Sequence, residues 1–96
     1  MLVTVKQRGG FAGMEVGLAQ VDTSTLDAAT RAAIERHVRT VLSSASGRDA
    51  QVGADQLEYE LTVDDGGSRK TMTWIEDGTD NASPIRELVA RLVEVM

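Results

Sequence analysis

The sequence predicts a two-layer α+β domain: a four-stranded antiparallel sheet with two helices on one face, in the order ββαββα. Three observations predict it. The apolar residues recur first every second position, then at helical spacing, then repeat both patterns. Each alternating stretch comes as a pair joined by glycine-rich residues, which is how a hairpin reads. Each helical stretch follows such a pair, so two one-faced hairpins and two one-striped helices can bury everything apolar in one layer between them. These patterns leave the strand order open. At 96 residues the chain is read as a single domain, 1–96, burying about 60–65% of the surface its unfolded form exposes.

The elements follow in order. In VTVKQR, Val3 and Val5 alternate with Thr4 and Lys6. RGGFAG, residues 8–13, is the hairpin tip, and MEVGLAQV returns with Met14, Val16 and Leu18 assigned inward and Glu15, Gly17 and Ala19 outward. TLDAATRAAIERHVRTVLSSA then changes to helical spacing. Ile34, Val38, Val41, Leu42 and Ala45 form its stripe, with Asp27, or else Thr25 or Ser24, as cap. After a polar loop over residues 46–54, LEYELTV points Leu57, Tyr59, Leu61 and Val63 inward. DDGG at 64–67 tolerates the positive dihedrals of a tight turn. RKTMTWI brings Met72 and Trp74 back to the core side. SPIRELVARLVEVM closes with Ser83 as cap, Pro84 at the first helical position, and Ile85, Leu88, Val89, Leu92 and Val93 as stripe. The opposite sheet face, carrying Thr4, Lys6, Glu15, Glu58, Glu60, Thr62, Thr71 and Thr73, is expected to be wet.

Composition excludes several functions. A net charge of −5 with scattered Lys and Arg argues against nucleic acid as a partner. No signal-peptide pattern and no long apolar run occur, so a cytoplasmic protein with no membrane partner is expected. The absence of cysteine removes disulfides, thiolate catalysis and thiolate metal sites. His37, the single histidine, flanks the first helical stripe and is read as a partly buried boundary residue. Zinc would need a further two or three ligands, and no HExxH-type spacing provides them. Ser43, Ser44 and Ser46 have no base beside them, and neither glycine-rich stretch has phosphate-loop form. An enzyme, a metal site and a bound cofactor are therefore not expected.

Two features remain. Between Asp49 and Asp65 the acidic residues Asp55, Glu58, Glu60 and Asp64 occur with no intervening Lys or Arg, either a solvated strand face or a patch for a basic rim. In RGGFAG, Gly9, Gly10 and Gly13 surround Phe11, the only phenylalanine. Phe11 either folds back over the sheet end, toward Leu2 or Met14, or is offered to a partner's pocket as an aromatic anchor. The candidate partner-binding residues are Arg8, Gly9, Gly10, Phe11, Ala12 and Gly13. Alternatives are the strand face from Glu58 to Glu60 and the loop over residues 47–53.

Taken together, KQRGGFAGMEV, VDTSTLD before a helix, LEYELTV, DDGG and SPIRELVARLV resemble the emfourin family, inhibitors of thermolysin-like (M4) metalloproteases such as protealysin. The likeness is most specific at GGFAG and Tyr59. It implies a small bacterial intracellular protein that binds the mature protease reversibly and blocks its substrate cleft; the sequence leaves the oligomeric state open, with a monomer favoured. It implies no zinc ligand from this chain. Such proteases have an apolar pocket just past the scissile bond, which Phe11 would suit. The competing expectation is a non-inhibitory adaptor that pairs through an open sheet edge.

Overall fold

A computed structural model describes residues 1–9, 14–43, 57–76 and 82–96. It contains strands β1 (Leu2–Gly9), β2 (Met14–Asp22), β3 (Leu57–Asp65) and β4 (Ser68–Glu76), and helices α1 (Ala28–Leu42) and α2 (Ser83–Val95). All strand pairs are antiparallel and their order is β2-β1-β3-β4. The first strand in the chain is thus a central one, and the chain crosses through α1 before β3 lies down on its free edge. The ββαββα order and the one-sided helix layer agree with the sequence reading.

The register shows why the layer closes. Val3 stands opposite Val21 and Val63, Val5 opposite Ala19 and Leu61, and Tyr59 opposite Trp74. Cross-strand partners share a face, so these rows form an apolar floor. Ile34, Val38 and Val41 of α1 and Ile85, Leu88 and Leu92 of α2 complete the same buried cluster. The helices are antiparallel: the Ala29–Ile34 turns lie beside Arg91, Glu94 and Val95, and His37 lies beside Glu87 and Arg91.

Local chemistry starts and stops the elements as anticipated in part. Asp27 caps α1 by accepting from the Thr30 amide at 3.3 Å. A 3-10 turn over Thr23–Thr25 precedes it, capped by Asp22. The Thr23 amide donates to the Met1 carbonyl, and its buried hydroxyl lies between that carbonyl and the Glu35 carboxylate at 2.7 Å. This pins α1 to the sheet's end. Gly66 and Gly67 have φ of 58° and 91°, the pair of positive angles that lets a two-residue turn match the strand twist. Helix α2 departs from expectation: Ala82 is the cap residue, with no side-chain hydrogen bond, and Ser83 already lies in the helix, where it accepts from Arg86. Pro84 falls one position deeper and still costs nothing, since the first-turn amides have no helical partner.

Three other expectations are corrected. In β2, Ala19 and Val21 are buried whereas Val16 is 48% exposed. Val5 pairs with Ala19 but Lys6 pairs with Gly17, so Leu18 is an extra residue and the inside–outside alternation changes phase there. Val93, assigned to the α2 stripe, is exposed, because Ile85, Leu88 and Leu92 already span the contact and Val93 is turned about 100° from Leu92. Most important, the outer face is not uniformly wet. Glu58 is 1% exposed and Thr73 4%. Glu58 stands between Arg8 on β1 and Ile75 on β4, two long side chains that flank it in register.

Because Leu88 is fully buried, Leu88→Ala should lower unfolding free energy by about 2–5 kcal/mol in denaturant titration. Gly17 has neither a positive φ nor any atom within 4 Å of where a Cβ would lie. Gly17→Thr should therefore be neutral or stabilise by up to about 1 kcal/mol in the same assay.

Candidate functional site

Four strand residues form one terminal row: Met14 opposite Gly9, Gly9 opposite Leu57, and Leu57 opposite Glu76. At this row the chain leaves β1, re-enters β2, enters β3 and leaves β4. Of the predicted partner-binding residues, Arg8 and Gly9 are placed here. Gly10, Phe11, Ala12 and Gly13 lie outside the described residues, as does the alternative loop over 47–53. The second alternative, Glu58 to Glu60, adjoins Arg8 directly, since Arg8 pairs with Glu58 and Lys6 with Glu60. Two regions far apart in the chain, read as rivals, are thus neighbours at one end of the sheet.

Gly9 ends β1 with φ 95°, a conformation that side chains bearing a Cβ rarely adopt. The departure of the hairpin tip therefore depends on glycine at that position. Arg8 is the last side chain before it. Its Nη1 lies 3.1 Å from Glu60 Oε2 and its Nε 3.9 Å from Glu58 Oε2, with the Arg8 side chain only 26% exposed. The Nε is covered and makes no hydrogen bond of its own. Burying a carboxylate is costly unless counter-charges or hydrogen bonds accompany it, and the Arg8 guanidinium lies beside the covered Glu58.

The remaining charges of the outer face are paired across strands: Lys6 with Glu15 at 3.0 Å, and Arg69 with Asp64 through two hydrogen bonds of 3.1 and 3.3 Å. Hydrogen bonding and charge from Asp64 raise the Arg69 pKa further above its ordinary value. The acidic run from Asp49 to Asp65 is therefore, in its described part, largely matched by Arg8 and Arg69; Asp65 is exposed. Val16, opposite Gln7, lies on the face of Tyr59 as the alternation assigned, yet is 48% exposed. For the inward turn of Ala19, Gly17 carried the available signal, since glycine inside a strand often marks a bulge.

Among the described residues, no group of three or more His, Asp and Glu is placed to hold a metal ion, and no helix is long and apolar enough to cross a membrane. His37 lines a shallow groove of about 300 Å³ with Glu87, Ala90, Arg91 and Glu94. Burial first, then the Arg91 charge, hold its pKa below the ordinary value, against an opposing pull from Glu87.

Among known proteins, the family model described as Emfourin matches residues 5–93 of the 96. No curated protein and no solved structure gives a match.

The lowered His37 pKa has a definite sign. The unfolded chain takes up the proton first as pH falls through about 6.5, so stability contributed by neutral His37 is present above that value and is lost as pH falls toward the lower folded pKa. Thermal melts between pH 7.5 and 5.5 should show a smaller loss of stability for His37→Gln than for the parent.

Proposed function

The chain belongs to the emfourin family, and on that premise we propose that it is a reversible protein inhibitor of a thermolysin-like zinc metalloprotease in the bacterial cytoplasm. Family membership suggests a protease-inhibitor role; the protease class and the mode of binding are our reading. The observation that carries it is a family match running across both hairpins and both helices, including RGGFAG.

In this reading one molecule occupies the substrate cleft of one protease through Arg8, Gly9, Gly10, Phe11, Ala12 and Gly13. Phe11 enters the apolar pocket just past the scissile position, which presents the Gly10–Phe11 bond to the zinc. A good substrate must lie extended there. The left-handed Gly9 favours a chain that turns instead, so Phe11 can supply binding energy without productive alignment of the bond. The scaffold suits this use, because Gly9 is hydrogen-bonded into the sheet between two strands and carries the tip on a rigid base. No residue of this chain has to reach the metal.

The test is inhibition of a thermolysin-like protease acting on a short fluorogenic peptide. Phe11→Ala should weaken inhibition by about thirty- to a thousand-fold, the effect of losing an aromatic anchor worth about 2–4 kcal/mol. Its melting temperature should stay within a few degrees of the parent's. Excess zinc should not restore protease activity, since direct binding removes no metal. Recovery on adding zinc, or a Phe11→Ala variant that melts early yet inhibits fully, would count against this reading.

A further inference from the structure

We propose that the open face of the sheet joins two copies of this chain, stacked face to face about a two-fold axis that runs parallel to the strands, between β1 and β3.

The helices cover the opposite face, and this one holds a shallow hollow of about 620 Å³ lined from all four strands. Its middle is an uncharged row in register: Gln20, Thr4, Thr62 and Thr71. Around that row charge is sorted by strand. The outward charges of β1 and β4 are all basic, namely Lys6, Arg8 and Arg69, and those of β2 and β3 are all acidic. In the order β2-β1-β3-β4 the face therefore reads acidic, basic, acidic, basic.

Such an alternating pattern complements itself under one of the two possible in-plane axes. An axis parallel to the strands, between β1 and β3, lays β1 over the partner's β3 and β2 over the partner's β4, so that every basic strand meets an acidic one. Residues keep their height along the strands. Lys6 consequently lies near the partner's Glu60, Asp22 near the partner's Arg69, and Thr4 over the partner's Thr62. An axis perpendicular to the strands would instead lay each strand over its own copy, like charge on like. Stacked sheets cross at about 30°, so the match is closest at the threonine row. The basic groups are open to a second partner, since the Lys6 and Arg69 side chains are 42% and 70% exposed.

Size sets the strength of the contact. Four strands about 4.8 Å apart, with about eight residues each rising about 3.4 Å, give a face of about 500 Å². Two such faces bury about 1,000 Å², the lower end for a specific contact. Glu58 and Thr73 are covered already, which trims this further. The dimer is therefore weak, and the dilute chain is monomeric.

Sedimentation equilibrium of the full-length protein tests the proposal. The parent should dimerise at about 1 mM. Lys6→Glu and Glu60→Lys should each weaken self-association at least about tenfold, because each sets like charges across the contact. Mixed one to one, the two variants should associate at least about tenfold more tightly than either alone, since the two reversed sites then face each other, as do the two native ones. A mixture no tighter than its components, or a parent that stays monomeric at that concentration, would overturn the proposal. If either variant loses its native circular dichroism, Thr4→Asp and Thr62→Lys replace the pair at the central row, and their mixture should behave in the same way. Val16→Lys, on the β2 edge, should leave the dimer unchanged. A dimer lost in that variant but kept in the others would show edge-to-edge pairing and also overturn the proposal.

Discussion

Every layer of this protein depends on the two-sided pairing of β1. It is the first strand in the chain, yet it bonds to β2 on one edge and to β3 on the other, and both of its inward valines are completely covered. The β2 contact is local and forms through a hairpin. The β3 contact must wait for the segment that contains α1, so the sheet cannot be completed before the helix that covers it is in reach. Val3, Val5, Leu61 and Val63 consequently meet Ile34, Val38, Ile85 and Leu88 as one cluster, with no separable half.

That same pairing organises the polar side of the sheet. Because β1 and β3 are neighbours, an arginine near the start of the chain faces two glutamates beyond its middle, and Glu58, Glu60 and Asp64 of the acidic run meet Arg8 and Arg69 across strands. Surface pairs of this kind contribute little, about 0–1 kcal/mol each. Glu58 differs because it is 1% exposed, so its contacts with β1 and β4 are made under cover. The outer face thus has a covered carboxylate beside Arg8 and a more open threonine-bearing region around Thr4, Thr62 and Thr71.

The terminal row, with Gly9 between Met14 and Leu57, is where β1 ends and β2 and β3 begin. Family membership suggests inhibition of a protease; that the connection after Gly9 carries it is our proposal, and a loop that binds a partner gains from a well-held base.

Much of this was legible in the sequence, because secondary structure here follows apolar period and turn chemistry, both local properties. LEYELTV, DDGG and the two helical stripes determined β3, its turn and the helix faces; Leu61, Val63, Ile34, Val38, Leu88 and Leu92 are buried as their spacing requires. The glycines of RGGFAG marked the hairpin tip for the same reason, although its residues 10–13 lie outside those the structure describes. What alternation could not reveal was anything set by neighbours across space. The strand order, the bulge at Leu18 that turns Ala19 inward, the covered Glu58 and the seat of Arg8 between two carboxylates all depend on which strands lie side by side and in what register. Only tertiary structure decides that, because a strand's two edges present the same backbone donors and acceptors whichever partner arrives.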